Sequence, residues 1–124
     1  MIQYLRSMKM SIHNEKESYD CPVEALANLL GKKWIATIIC TIDHEKKRFA
    51  ELEKELEGCT RKMLTQQLEL LMNQEIVRNQ KEINGNSIES HYYLSEKGLT
   101  LLPLVEEMIA WGSNNLKCDK SGRY

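Results

Sequence analysis

The side chains best suited to chemistry in this 124-residue sequence are a cluster of hydrogen-bond donors in one short stretch and four scattered thiols. Arg61, Lys62, Thr65 and Gln66 fall in the first two turns of a helix expected over residues 60–74. Guanidinium, ammonium, hydroxyl and carboxamide groups reach phosphates and hydrogen-bond base edges in a major groove, so the chemistry they offer is non-covalent recognition. An ordinary amphipathic surface helix carries the same pattern. Among the thiols, Cys21 precedes Pro22 at an expected helix start. The positive end of a helix dipole favours a thiolate, which makes Cys21 a candidate sensor; the plainer role is a buried packing residue. Cys59 adjoins the donor-rich stretch, either as a small hydrophobe or as a contact that oxidation would disturb. Cys40 and His44 are one turn apart, but two ligands do not make a site, so no metal and no cofactor is expected. Cys118 could bridge subunits only if geometry brings it near a partner. There is no Cys-x-x-Cys pair, which argues against a zinc ribbon or a thioredoxin-like motif.

The donors need a helix with a buried back. Leu64, Leu68, Leu71 and Met72 recur at i, i+4, i+7 and i+8 and supply it. Thr60 is placed to cap this helix, with Cys59 as a staple on Leu64. Upstream, Phe49, Leu52 and Leu56 mark another helix whose exposed positions are charged. The link between the two, Glu57-Gly58-Cys59, has the form of a helix-turn-helix. Downstream, residues 76–83 and 87–94 read as strands joined at Asn84-Gly85, with Tyr92 and Leu94 on one face. A helix-turn-helix followed by a hairpin is a winged helix, so the expected fold class is α+β, mainly α. Asn84, Gly85 and Asn86, with Lys81 nearby, suit a phosphate strand or a minor groove; a plain structural ribbon is the alternative.

The flanking segments complete the domain. Pro22 at a first helical position makes Cys21 the N-cap, with Val23, Leu26, Ala27 and Leu30 as buried stripe and Gly31 as a left-handed stop. A second helix from about Lys33 carries Trp34, Ile35, Ile38, Ile39 and Ile42 and should be central and buried. Residues 43–47 form a charged turn, and Arg48-Phe49 a very short strand. Ser95 caps a last helix, running to about Asn114, that holds more apolar surface than one core face needs. The same helix of a second copy is the expected cover, giving a homodimer. Pro103 should kink or break that helix. Residues 1–20 read as an arm, 21–115 as the DNA-binding domain and 116–124 as a tail.

A hydrophobic fraction of 42% and a charged fraction of 28% are those of an ordinary soluble domain, and the length suits one. No apolar run is long enough to span a bilayer and residues 1–12 lack a secretory core, so a cytoplasmic protein with no membrane partner is expected. The net charge of −1 does not favour nucleic acid. Local field matters more, and Lys46, Lys47, Arg48, Arg61, Lys62, Arg78 and Lys81 gather mid-chain, interleaved with glutamates. Gly-x-Ser-x-Gly, a phosphate loop and His-Glu-x-x-His are all missing, and the three histidines are scattered, which argues against an enzyme. A winged helix used only for protein contacts is the competing class.

Several blocks together resemble the HxlR family of winged-helix transcriptional regulators, within the MarR-like superfamily. They are Cys21-Pro-Val-Glu, Gly31-Lys-Lys-Trp34, Arg48-Phe-Ala-Glu-Leu52, Lys62-Met-Leu-Thr-Gln-Gln-Leu68, Tyr92-Tyr-Leu-Ser-Glu-Lys-Gly98, Leu102-Pro103 and Trp111-Gly112, covering roughly residues 21–112. The resemblance implies a homodimer on a palindromic operator in double-stranded DNA, repressing or activating nearby genes. It implies that the helix from Thr60 enters the major groove, that the hairpin is the wing, and that the terminal helices join the dimer through Leu101, Leu104, Val105, Met108 and Trp111. It also implies sensing of oxidants or electrophiles at Cys21, since several members use the matching cysteine. A regulator that answers a small molecule without cysteine chemistry is the remaining alternative. On this footing Arg61 and Gln66 are expected at bases and Thr60, Lys62 and Lys81 at phosphates, with Arg48, Thr65, Asn84 and Gly85 completing the DNA-facing set. Lys32, Glu57, Cys59, Arg61 and His91 depart from the family's usual residues.

Overall fold

Proline lacks only an N–H that the first turn of a helix would leave unpaired, and Pro22 opens α1 (Pro22–Leu30) with Cys21 as an extended N-cap. The computed structural model describes residues 21–117; the expected arm over residues 1–20, and residues 118–124 with Cys118, lie outside the described residues. The chain divides into two compact units, Met1–Ile35 and Ala36–Tyr124.

In the first unit the expected stripe on α1 is rotated. Leu26, Leu29 and Leu30 are half-buried, whereas Ala27 is exposed and Val23 is 72% exposed. Two apolar rows compete on this helix, and the row with three leucines removes more apolar area from water than the one built on Val23 and Ala27. The left-handed stop expected at Gly31 is absent. Gly31 has φ −76° and ψ −14°, and its N–H still bonds the Ala27 carbonyl at 2.8 Å. The left-handed residue is Trp34, at φ +80°, a conformation that costs a bulky side chain about 1–2 kcal/mol.

The core follows from α2 (Ile35–Ile42), whose Ile35, Ile38, Ile39 and Ile42 are all buried at helical spacing. Asp43, at φ +55°, ends it. The short strand β1 is Lys47–Arg48, one residue earlier than expected, because Phe49 already begins α3 (Phe49–Glu55). The Glu51 carboxylate accepts from the Arg48 backbone N–H at 3.0 Å and so starts the helix there. Leu52 and Leu56 bury its inner side, and Gly58, at φ +91°, turns the chain into α4 (Arg61–Asn73). The Thr60 hydroxyl accepts the Met63 N–H at 3.1 Å, as expected of a cap, and Leu64, Leu68 and Leu71 are buried. Met72, at the edge of this stripe, is half-buried.

α4 closes with paired bonds from Glu75 N–H to Met72 O (3.0 Å) and Ile76 N–H to Leu71 O (2.9 Å), with Glu75 left-handed at φ +60°. This Schellman geometry aims the chain into β2 (Val77–Asn84), which returns as β3 (Ser87–Leu94). The antiparallel sheet has the order β1-β3-β2. The hairpin loop is Gly85-Asn86 rather than Asn84-Gly85, since Asn84 pairs with Ser87. Only Gly85 of the two has positive φ (+66°), as a type II′ turn requires of its first central residue.

Ser95 then joins three elements. Its hydroxyl accepts the Gly98 N–H at 3.1 Å to cap α5 (Glu96–Asn115) and lies 2.5 Å from the Glu75 carbonyl, to which it donates. A Cβ on Gly98 would collide with the Ile76 carbonyl. α5 runs unbroken through Pro103, contrary to a break there. Pro103 and Leu99 share the exposed side, so the carbonyl that loses its donor is open to water. Leu102, Val105 and Gly112 bury the inner row of α5, which packs on β3 while α4 packs on β2 and α3 on β1 and β3. No single helix among the described residues is long and apolar enough to cross a membrane.

Candidate nucleic-acid interface

At about 100° per residue, the row of α4 opposite Leu64, Leu68 and Leu71 is Lys62, Gln66, Glu69 and Asn73, and all four are exposed. Arg61 and Thr65 are exposed too, but on the flank. The flank of Arg61 faces α3: its Nη2 lies 3.9 Å from Glu53 Oε1 and its guanidinium 5.4 Å from the Phe49 ring centre. Thr65 donates its hydroxyl to the Arg61 carbonyl at 2.9 Å, which leaves an acceptor oxygen and a methyl group outward. Thr60 accepts the cap bond and keeps its own hydroxyl proton available for a phosphate.

On the hairpin, the pairs Lys81–Ser90 and Ile83–Ile88 alternate with Gln80–His91 and Glu82–Glu89. Partners across a ladder point to the same face, so one face carries Lys81 with two isoleucines and the other carries the acids. Ile83 and Ile88 are 82% and 70% exposed. On the acidic face His91 Nε2 lies 3.6 Å from Glu82 and 3.5 Å from Glu89. Gly85 sits at the tip with open space around the position of a Cβ.

The mid-chain cations therefore divide into two sets. Lys62, Arg78 and Lys81 have no ion pair among the described residues. Lys47 bonds Glu55 at 2.9 Å; this bond holds its pKa above the ordinary lysine value against the smaller, opposing effect of burial. Arg48 contacts Glu51 at 3.2 Å and Glu89 at 3.8 Å. The Arg48 backbone N–H, and next its guanidinium, hold the Glu51 carboxyl below its ordinary value. Lys46 donates to Gln80 at 2.6 Å and lies over the Tyr93 ring. Exposed pairs are worth about 0–1 kcal/mol, so at Arg48 and Arg61 phosphates can replace the carboxylates at small cost.

Of the thiols, Cys21 is half-buried at the N-cap of α1 and makes no side-chain cap bond. Burial, then the charges of Glu106 and Asp43, push the Cys40 thiol above its ordinary value, so it is a neutral thiol at neutral pH. Cys59 is half-buried, its Sγ 3.7 Å from the Thr60 carbonyl. Among the described residues no group of three or more potential ligands is placed to hold a metal. On α5, Leu104, Met108 and Trp111 are 42%, 45% and 61% exposed, Ile109 is exposed with them and Leu101 is half-buried. Val105, placed by sequence in the same outward set, is buried beside Leu102 in the core, because it lies on the row of Gly98 and Gly112.

Two features escaped the sequence reading. Glu69 follows Lys62 by seven residues and so shares its row, a signal present in the spacing. The Ile83–Ile88 pair depends on the hairpin register, which became definite only with the loop at Gly85-Asn86.

Residues 29–120 match the model of the HxlR-like helix-turn-helix family, a match that begins beyond Cys21. The HTH-type transcriptional regulator YtcD of Bacillus subtilis (strain 168) is 37% identical over 102 residues, 82% of this chain and 80% of that protein. The reduced form of the transcriptional regulator YodB from B. subtilis superposes with a TM-score of 0.69 at 34% identity, covering 80% of this chain and 95% of YodB. The redox regulator HypR in its reduced form gives a TM-score of 0.69 at 34% identity, covering 76% of this chain and 92% of HypR. YodB is also known in a quinone-bound form, with a TM-score of 0.64 at 35% identity over 76% of this chain and 98% of that one. These matches, with a helix-turn-helix followed by a wing, make the chain a transcriptional regulator and not an enzyme: it belongs to the HxlR-like helix-turn-helix family.

Proposed function

We propose that this regulator is a cytoplasmic homodimer that reads a palindromic operator in double-stranded DNA and is switched by thiol-reactive oxidants or electrophiles at Cys21. The observation that carries the DNA reading is the outward row of α4, polar along its length and backed by a fully buried leucine row. In this reading Gln66 and Arg61 meet bases, Arg61 swinging from Glu53, while Thr60, Lys62, Arg48 and Lys81 meet phosphates. Thr65 offers its methyl group and acceptor oxygen to a base, and the tip at Asn84 and Gly85 follows the backbone of the adjacent groove. Support for the dimer comes from Leu104, Met108 and Trp111, which α5 leaves exposed. Two recognition helices of the dimer then lie about 34–36 Å apart, one helical turn of DNA.

Support for the switch is the half-exposed thiol at the start of α1, together with the redox regulator HypR and the quinone-bound form of YodB among similar structures. A winged helix kept for protein contacts is favoured by one observation, the pairing of Lys47, Arg48 and Arg61 with the chain's own carboxylates. A gel-shift titration at several salt concentrations separates the two. A regulator binds its operator specifically, with affinity falling steeply as salt rises, and an interaction module does neither. Repeated with diamide or a quinone, wild type should gain or lose binding while Cys21→Ser binds and no longer responds. An unchanged response in that variant rules out Cys21 as the switch.

A further inference from the structure

The outward row of α4 contains one group that does not belong on a surface meant only to attract phosphate. Glu69 is exposed between Gln66 and Asn73, seven residues after Lys62. The glutamates around the mid-chain cations are engaged: Glu51 and Glu89 by Arg48, Glu53 by Arg61, Glu55 by Lys47. Glu69 has no ion pair among the described residues, and the positions three and four away along its helix are Thr65, Gln66, Met72 and Asn73, none of them cationic. A free carboxylate here repels the DNA backbone, so it is compatible with tight binding only if it meets a donor.

We propose that Glu69 is a specificity-determining residue that accepts a hydrogen bond from the exocyclic N4 amine of a cytosine in the major groove. The inference rests on the reading of α4 as the recognition helix. Helical rise places Glu69 about 4.5 Å beyond Gln66 along the axis, roughly one base step, so Gln66 and Glu69 address neighbouring positions. A carboxylate only accepts. In the major groove guanine offers N7 and O6 acceptors, thymine an acceptor and a methyl group, and adenine a donor next to the N7 acceptor. Cytosine alone presents a donor with no acceptor of its own beside it.

The test is selection of bound sites from random DNA by the full chain as wild type, Glu69→Ala and Glu69→Gln. Wild type should select a motif with cytosine at one position of each half-site. Glu69→Ala should lose that preference by about tenfold or more while the other positions stay fixed, and Glu69→Gln should move it toward adenine, whose N6 and N7 pair with a carboxamide. If all three proteins select one motif with equal discrimination, and the variants only bind every site more tightly, Glu69 acts through its field and the proposal fails. A wild-type motif without cytosine at the position that Glu69→Ala relaxes overturns it as well. If wild type selects no motif, the DNA reading itself falls, and this inference with it. The side chain is exposed, so equal thermal stability of the three proteins is expected.

Discussion

Glu51 shows how one side chain both builds a helix and restrains a cation. Its carboxylate takes the Arg48 backbone N–H at 3.0 Å and the Arg48 Nε–H at 3.2 Å, and these bonds lower its pKa. A lowered carboxyl stabilises the fold fully above its unfolded value, and the contribution is lost as pH falls through the folded one. Glu51→Ala should therefore melt below wild type at neutral pH, and the gap should close on acidification; a constant gap in melting curves across that range would place the effect elsewhere. The Thr60 and Ser95 caps were legible in the sequence because a cap is a local exchange between a hydroxyl and an N–H three residues on. The flank position of Arg61 follows from its spacing to Leu64, but its contacts were not legible, because they are made with Glu53 and Phe49 on another helix. The left-handed residue was missed for a related reason: Gly31 has the propensity, but Trp34 has the conformation.

Among the elements, the junction of α4, β2 and α5 ties the wing to the helices through main-chain carbonyls. The carbonyls of Gln74, Glu75 and Ile76 accept, in turn, the Lys97 ammonium at 2.8 Å, the Ser95 hydroxyl at 2.5 Å and the Ser95 backbone N–H at 2.9 Å. Gly98 lets α5 approach this turn, and nothing larger fits against the Ile76 carbonyl. Gly98→Ala should cost about 2 kcal/mol or more of stability by forcing the two backbones apart. Urea unfolding would show it as a lower midpoint at unchanged slope, and a midpoint equal to wild type would mean that the junction yields freely. Each element was legible as such, since leucine and isoleucine periods and the Asn-Gly pair are strong local signals. Boundaries were less so. The loop lies one residue further on than expected, which moves every cross-strand partner by two residues, so that Ile83 faces Ile88 and not Asn86, while each side chain keeps its face.

For the molecule as a whole, the outstanding question is what covers α5. Met108 and Trp111 are 45% and 61% exposed. Replacing both by arginine should leave the protomer folded and shift it from dimer to monomer in analytical ultracentrifugation, with operator affinity falling about 100-fold or more as the two half-sites uncouple. A double variant that stays dimeric would show that the subunits meet elsewhere. Sequence could point to this face by its surplus of apolar residues but could not separate Val105 from it, because that needs the side on which the core lies. The wing raises the opposite problem. Among the described residues β1 pairs with β3 only through Tyr92 and His91, and further out no described strand pairs with either edge of the hairpin, where Ile83 and Ile88 are exposed near its tip. Such edges are templates for a neighbour's strand, and a net charge of −1 does little to keep copies apart. Lys81, Glu82 and Glu89 put charge along this stretch, which disfavours pairing with another strand.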